Sequence, residues 1–217
     1  MSEASGAAFS RRQIVLMAGA GLLSGCGSIQ LLPPPMQPQL YVLRPQINPP
    51  MGAPVTWRLS VGPPDAAASL DTARIALSRS ATTMDYFANA AWNDRVPLIL
   101  QRLLIQTFDA SNRIVAVDRD TAGTENDYLL QTEIRDFEAR YETAEGAPQI
   151  IVSIQAKLAR MPQREIVRSL NVTQQAQASA NNLDGIVAAF NSAAGAAIAQ
   201  IATWTLNAPP PPALPAG

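Results

Sequence analysis

Two proline-rich runs confine the folded part of this 217-residue chain to the sequence between them. Three prolines occupy residues 33–35, and four occupy residues 209–212. Proline fixes φ and has no backbone N–H, so neither run can continue a helix or enter the middle of a sheet. The length between the runs suits one domain. We therefore predict four parts: an N-terminal segment at 1–25, a proline-rich tether at 26–40, a folded domain at 41–207 and a disordered tail at 208–217.

The N-terminal segment has the parts of an export signal. Arg11 and Arg12 supply the positive charge, and an apolar run of ten residues follows at 14–23. This run is too short for a membrane-spanning helix, which needs about 20 residues. It ends in the sequence Leu-Ser-Gly-Cys, which resembles the bacterial lipobox, whose cysteine receives a diacylglyceryl group. We predict a signal peptide at 1–25 and lipidation of Cys26; the alternative is a cysteine buried in a core.

If Cys26 is acylated, we expect the mature chain to be held at a membrane. Each buried CH₂ group contributes about 0.8 kcal/mol, and the lipobox resemblance implies three acyl chains, which makes detachment negligible. Gly27 follows the cysteine in place of the aspartate that retains lipoproteins at the inner membrane. This difference predicts that the mature protein is located on the periplasmic face of the outer membrane. Residues 10–16 also resemble a twin-arginine export motif, so general and twin-arginine export both stay open.

Composition excludes several classes of protein chemistry. The chain has no histidine and one cysteine, so it cannot build a Ser-His-Asp or Cys-His nucleophile, a His-ligated zinc site or an internal disulfide. Sixteen Lys and Arg residues against 17 Asp and Glu residues give a net charge of −1, which offers no footprint for nucleic acid. We predict a protein that is not an enzyme and has no cofactor or metal site.

Three acidic residues, Glu133, Asp136 and Glu138, lie along one predicted strand. We expect Asp136 to point to the face of the strand opposite to the other two. We therefore interpret them as a solvated strand surface rather than as paired carboxylates for acid–base catalysis. The acidic loop at 118–123 is also interpreted as solvated, because Ala122 stands where an EF-hand needs a calcium ligand.

Residue periodicity predicts both strands and helices. The predicted strands lie at 41–43, 55–61, 74–79, 84–87, 114–117, 128–141, 150–158 and 165–176. Two helices are predicted, one capped by Asn93 or Asp94 and ending near Phe108, and one capped by Asn181 or Asn182 and ending at Leu206.

The second predicted helix is long enough to cross a bilayer and carries a single charge, Asp184. Its apolar residues form one stripe that includes Val187 and Phe190, whereas Ser192 and Gln200 face elsewhere. A helix in lipid is expected to be apolar on all sides. We therefore predict a helix that packs on the sheet.

Several segments follow one another in an order typical of a known family. They are Tyr-Val-Leu at 41–43, Val-Gly-Pro-Pro at 61–64, Leu-Asp-Thr-Ala-Arg-Ile at 70–75, Met-Asp-Tyr-Phe-Ala-Asn-Ala-Ala-Trp at 84–92, and then a leucine-rich helix. With these segments the chain resembles the ABC-type transport auxiliary lipoproteins, the family that includes the small lipoprotein of the paraquat-inducible Pqi system. The resemblance covers about residues 41–206.

The resemblance implies an α+β fold, a compact α/β sandwich in which two main helices pack on one face of a mixed, mostly antiparallel sheet. It also implies a non-catalytic auxiliary role in phospholipid transport between membranes, which contributes to outer-membrane integrity. The implied partners are an MCE-domain protein and the permease and ATPase of an ABC transporter. Sheet or helix faces would bind the MCE partner or a second copy of the chain, as in a homo-oligomer.

Two aromatic residues, Trp92 and Tyr86, are candidate contacts for such a partner. For Trp92 the alternative is packing on the first turn of the following helix, as a hydrophobic staple. Two further functions stay open: a lipoprotein hydrolase that uses Asp, Glu and Ser residues, and an envelope assembly chaperone.

Overall fold

The computed structural model describes residues 37–120, 125–143 and 145–211. Within these residues the chain forms nine strands and two helices. In chain order they are β1 (Gln39–Tyr41), β2 (Arg58–Val61), β3 (Asp65–Ala66), β4 (Arg74–Ser80), β5 (Thr83–Trp92), α1 (Val96–Ser111), β6 (Ala116–Arg119), β7 (Tyr128–Arg140), β8 (Gln149–Arg160), β9 (Glu165–Gln177) and α2 (Leu183–Leu206).

The 13-residue strand β7 organises the sheet because both of its edges are paired. One edge pairs antiparallel with β8, and β8 pairs antiparallel with β9. Three short strands share the other edge by parallel pairing. β2 pairs with residues 128–130 of β7, β3 with residues 133–134 and β4 with residues 138–140. β6 continues the sheet beside β2, whereas β5 and then β1 continue it beside β4. The sheet therefore forks into two branches along the parallel edge of β7.

Both helices pack on one face of this sheet. α2 lies across β8 and β9, and α1 contacts α2, β2 and β6. The architecture is α+β with a mixed sheet, as the family resemblance implied. The antiparallel pairings are the long ones, whereas each parallel pairing joins only two to four residue pairs.

The predicted hairpins are confirmed as β4–β5 and β8–β9, with β5 extended to Trp92. The strand predicted from residue 55 begins only at Arg58, because the N–H of Val55 donates to the carbonyl of Arg113 (2.6 Å) instead of to a strand neighbour. β3 was not predicted, since two residues are too few to show an alternating pattern.

Alternation along β8 explains how the sheet separates a core from a polar face. One side carries apolar residues that are buried beneath the helices: Ile150, Val152, Ile154, Ala156 and Leu158. The intervening Ser153, Gln155 and Lys157 are partly exposed on the other side. Burial of each large apolar side chain contributes about 1.5–3 kcal/mol, so this pattern fixes which face meets α2.

An aromatic cluster joins β5, β7 and α2 at the centre of the core. The Trp92 ring meets Phe190 edge-on at 5.2 Å and Phe137 at 6.1 Å between ring centroids. Phe137 and Phe190 stack at 5.0 Å. Each such pair contributes about 0.5–1.5 kcal/mol beyond the burial of its area, so the cluster fixes the position of α2 on the sheet.

The two helices begin differently. The predicted cap of α2 is confirmed, because Oδ1 of Asn182 accepts the N–H of Gly185 (2.8 Å). The predicted cap of α1 is wrong, since Arg95 holds the N-cap position and makes no side-chain cap. The carbonyl of Thr72 accepts the N–H of Val96 (3.1 Å) instead, so a distant loop satisfies the helix start.

α2 alone among the helices of the described residues is long and apolar enough, by length and composition, to cross a membrane. In the fold it packs on β8 and β9, as predicted from its single apolar stripe. Phe190 and Ile198 are fully buried, whereas Ser192, Gln200 and Thr203 are exposed.

Arg113 connects three segments that are far apart in the sequence. Its buried guanidinium donates to the carbonyl oxygens of Ala53 (3.0 Å), Met51 (3.1 Å) and Leu206 (3.5 Å). Gly52, at φ +144°, passes so close that a Cβ there would lie 2.8 Å from Cζ of Arg113. The guanidinium therefore fastens the loop before β2 to the end of α2.

We expect Arg113→Met to lower the free energy of unfolding by about 2–3 kcal/mol, because the variant keeps the apolar stem but leaves the carbonyl oxygens without their charged donor. Urea denaturation measures this change. Arg119→Met, at an exposed arginine of β6, is the matched control and should alter the midpoint little. Equal midpoints for the two variants would show that Arg113 does not fasten these segments.

Candidate interaction surfaces

Cys26, Arg11 and Arg12 lie outside the described residues, so lipidation and export stay predictions. Trp92 and Tyr86 both lie on β5 but in different settings. Trp92 is buried, with 1% of its surface exposed, and its ring belongs to the aromatic cluster. Tyr86 is half-buried, and it is therefore the residue of the two that presents a surface.

Arg74 and a backbone carbonyl fix the ring of Tyr86. The guanidinium carbon of Arg74 lies 3.7 Å from the ring centroid, which is cation–π geometry. The Tyr86 hydroxyl donates to the carbonyl of Ser69 (3.0 Å). Arg74 was not singled out from the sequence, because only the antiparallel pairing of β4 with β5 brings it beside Tyr86.

Two apolar side chains lie exposed where the predicted tether runs into β1. Leu40 on β1 is 63% exposed, and Val42 just after β1 is 39% exposed. Single exposed apolar residues are common on protein surfaces, but these two begin the part of the fold that follows the predicted lipid anchor. We call them the β1 patch.

The carboxylates of β7 share one face, so the expectation that Asp136 points away from the other two is wrong. Asp136 and Glu138 are two residues apart and share a face by alternation, and a bulge at Arg135 inserts one residue that brings Glu133 to the same face. Nη2 of Arg140 lies 2.6 Å from Oε1 of Glu138 and 3.9 Å from Oδ1 of Asp136. Nε of Arg135 lies 3.9 Å from Oε1 of Glu133. Each carboxylate therefore has an arginine within ion-pair distance.

Two buried tyrosine hydroxyls hold neighbouring segments in place. The hydroxyl of Tyr128 donates to the carbonyl of Pro209 (2.9 Å), and that of Tyr141 donates to Oδ1 of Asn181 (2.8 Å). Burial raises the pKa of both phenols above the ordinary value, so both stay neutral donors at physiological pH. In the described part of the chain, no group of three or more His, Cys, Asp or Glu side chains is placed to hold a metal ion.

The outer edge of β9 is a further surface, which sequence reasoning missed. β9 pairs with β8 on one edge, and no strand of the described residues pairs with the other. Side chains tie β9 to its surroundings: Thr173 to Ser153 (3.2 Å between hydroxyl oxygens) and Gln174 to Gln200 of α2 (2.8 Å). We define the β9 edge surface as residues 169–177 together with the adjoining flank of α2.

Arg168 and Trp204 border this surface. The guanidinium of Arg168 lies 4.8 Å from the Trp204 ring centroid and donates to the Trp204 carbonyl (2.9 Å). A shallow groove lies beside them, lined by Leu170, Ala199, Gln200, Thr203 and Trp204. The surface is therefore mostly neutral, with a single cation at one end.

Comparison with protein families gives one match over most of the fold. The model of the ABC-type transport auxiliary lipoprotein component matches residues 39–202, from β1 into the last turns of α2. No curated protein matches the chain.

Two solved structures share the fold. A Xanthomonas campestris protein of family DUF330 superposes with a TM-score of 0.72 at 26% identity, covering 77% of this chain and 94% of that one. An uncharacterised protein superposes with a TM-score of 0.61 at 15% identity, covering 78% of this chain and 99% of that one. PelC from Paraburkholderia phytofirmans, solved as a dodecamer, superposes with a TM-score of 0.44 at 14% identity, covering 72% of this chain and 91% of that one.

Asp109 lies in the last turn of α1, where the helix dipole disfavours a negative charge. Desolvation and then the charge of Asp118 raise the pKa of Asp109 above its ordinary 3.8, so the ionised form costs stability at neutral pH. We expect Asp109→Asn to stabilise the protein at pH 7 by about 0.3–1 kcal/mol. Because a protonated Asp109 carries no penalty, this gain should vanish as the pH falls below about 3.8.

Thermal unfolding at pH 7 and at acidic pH measures this difference. Asp85→Asn, at an exposed residue of β5, is the control for loss of one negative charge. A gain from Asp109→Asn that persists unchanged at low pH would contradict the electrostatic cause.

Proposed function

Because the chain belongs to the ABC-type transport auxiliary lipoprotein components, we propose that it serves as a non-catalytic adaptor on the periplasmic face of the outer membrane. In this role an acylated Cys26 anchors the chain. The folded domain assists an ABC transport system that moves phospholipid between membranes with an MCE-domain protein, its permease and its ATPase.

The family match over residues 39–202 carries this proposal, because it spans the forked sheet and nearly all of both helices. The lipobox-like sequence that precedes the tether also supports the proposal. β1 starts thirteen residues after Cys26 in the sequence. At about 3.1 Å per residue in polyproline II form, that length holds the domain up to about 40 Å from the acyl chains.

The polar chemistry of the described residues fits an adaptor. The guanidinium of Arg113 and the hydroxyls of Tyr128 and Tyr141 bond to backbone or amide oxygens within the fold. The carboxylates on the polar face of β7 are ion-paired with Arg135 and Arg140. These groups hold the structure together, and the proposal therefore assigns the function to the surfaces of the domain.

The surface that carries Tyr86 and the β1 patch supports the proposed contact with an MCE partner. β1 pairs with β5, so both features lie on the branch of the sheet that follows the tether. An aromatic ring fixed by Arg74 and exposed apolar residues such as Leu40 suit contact with another protein, because aromatic residues lose little conformational entropy on binding.

We expect Cys26→Ala to release the protein from the membrane, since the variant cannot be acylated. Membrane fractionation and intact-mass measurement, which detects the acyl chains, check this outcome. Ser28→Ala, two residues further along the tether, is the matched control and should stay acylated and membrane-bound. A Cys26→Ala variant that remains in the membrane fraction would contradict the proposed anchor.

We also expect the native-level lipoprotein to co-purify with an MCE-domain protein after mild crosslinking. The Cys26→Ala variant should recover less of that partner, because it is no longer concentrated at the membrane. Quantitative mass spectrometry of the crosslinked material measures the ratio. Recovery of the lipoprotein without any MCE-domain protein would count against this partner and leave the anchor intact.

A further inference from the structure

Residues 169–177 of β9 form a long edge without the usual protection. Natural edge strands avoid pairing with other chains through charged side chains, proline, bulges or short length. This stretch of β9 has no charge, no proline and no glycine. Within the described part of the chain, β8 is the one strand that pairs with β9, so the other edge is open to an added strand.

The hydrogen-bond phase of β9 is set at its end. The N–H of Ala178 donates to the carbonyl of Pro148 (3.0 Å), which makes this pair a hydrogen-bonded one. The register continues unbroken over residues 169–177, and antiparallel pairs alternate between bonded and non-bonded. The residues whose N–H and C=O groups point away from β8 are therefore Ser169, Asn171, Thr173, Gln175 and Gln177. The hydroxyl contact of Thr173 with β8 agrees, because side chains are closest in non-bonded pairs.

A groove beside this edge is placed to receive a side chain of an added strand. It lies between β9 and α2, and its lining residues are Leu170, Ala199, Gln200, Thr203 and Trp204. Side chains that are directly opposite each other on paired strands lie on the same face of the sheet. The residue of an added strand opposite Leu170 therefore points its side chain into this groove, where Leu170 and Trp204 suit an apolar group.

The edge ends at Arg168. The register of β9 against β8 shifts between Ile166 and Arg168, which makes Val167 a bulge, and a bulge disrupts further pairing. Nη1 of Arg168 donates to the Trp204 carbonyl (2.9 Å). Among the described residues, no carboxylate lies within ion-pair distance of this guanidinium. The ladder open to an added strand thus stops beside a cation that has no anionic partner in the described fold.

We propose that the β9 edge surface binds the extended C-terminal segment of another protein, which adds to β9 as an antiparallel strand. Such a strand runs from residue 177 toward residue 169, so its C-terminus arrives at Arg168. Its last residue lies opposite Ser169, whose N–H donates to the terminal carboxylate, and the guanidinium supplies the opposite charge. The residue before it lies opposite Leu170 and places an apolar side chain in the groove. Main-chain hydrogen bonds then give affinity, and the groove gives specificity.

The carboxylate distinguishes this occupant from two others. The β9 edge of a second copy has no carboxylate between residues 169 and 177, so it leaves Arg168 without an anion. The proline tail of this chain has no N–H at residues 209–212 and 215, so it cannot form the ladder. A partner's free C-terminus supplies both the N–H groups and the charge. None of these observations involves Cys26 or the transport family, so the assignment is independent of the proposed function.

Peptide binding by the detergent-solubilised lipoprotein tests the carboxylate. The probe is the hexapeptide Gln-Thr-Val-Thr-Leu-Ser with fluorescein at its N-terminus, which places its leucine opposite Leu170. Fluorescence anisotropy should show saturable binding. The same peptide with a C-terminal amide should bind about tenfold more weakly, because it lacks the charge-assisted hydrogen bonds. Arg168→Gln should bind acid and amide equally, whereas Arg164→Gln, at an exposed arginine of the β8–β9 turn, should keep the difference.

The comparison of acid with amide on the wild type depends on no variant, and circular dichroism checks that both variants fold. Three results would each overturn the proposal: no binding of the free acid, equal binding of acid and amide by the wild type, or a preference for the acid that Arg168→Gln retains.

N-methylation of the peptide tests the strand pairing. The threonine opposite Asn171 directs its N–H at β9, whereas the leucine opposite Leu170 directs its N–H away. We expect N-methylation of that threonine to abolish binding and N-methylation of the leucine to change it little. Equal effects of the two methyl groups would contradict an added antiparallel strand.

Light scattering tests whether a second copy occupies the edge instead. Saturating peptide should leave the number of lipoprotein copies unchanged. A lower number would show that the peptide displaces a second copy, and would overturn the assignment to a partner's C-terminus. Because these measurements require neither acylation nor a transport partner, their failure would leave the proposed function intact.

Discussion

The hydrogen bonds along the two edges of β7 hold the sheet together. β8 completes one edge with a continuous antiparallel ladder, and three short strands complete the other by parallel pairing. A two-stranded or three-residue pairing is marginal by itself, so β2, β3 and β4 depend on β7 as their common template. Both branches of the fork, and through them β1 and β6, are positioned by this one strand.

Local pattern was enough to predict the elements whose stability is local. The hairpins and the Asn182 cap follow from turn residues, alternation and capping chemistry within a few residues. Long-range contacts decided the rest. The start of α1 is satisfied by the carbonyl of Thr72 and the start of β2 is delayed by Arg113, and neither partner is adjacent in sequence. The order of strands along β7 likewise joins segments separated by as many as about 70 residues.

The same distinction applies to the candidate surfaces. The bulge at Arg135 brings Glu133 to the face that carries Asp136 and Glu138, and one inserted residue leaves no periodic signal that could have been recognised beforehand. Trp92 is prominent in the sequence, yet the fold places it in the core against Phe137 and Phe190. The edge of β9 is free because of the order of the strands in the sheet, and this order could not be predicted from a single sequence. The absence of histidine, by contrast, is visible in the sequence itself and does not depend on how the strands are ordered.

Arg113 has a consequence for how the protein withstands proteases of the envelope. Its guanidinium donates hydrogen bonds to carbonyl oxygens of the loop before β2 and of Leu206, the last residue of α2. Close by, the hydroxyl of Tyr128 donates to the carbonyl of Pro209. Proteolysis concentrates at loosely held termini and loop tips. Because the end of α2 is held in this way, cleavage within the domain requires the joint opening of segments that are remote in sequence.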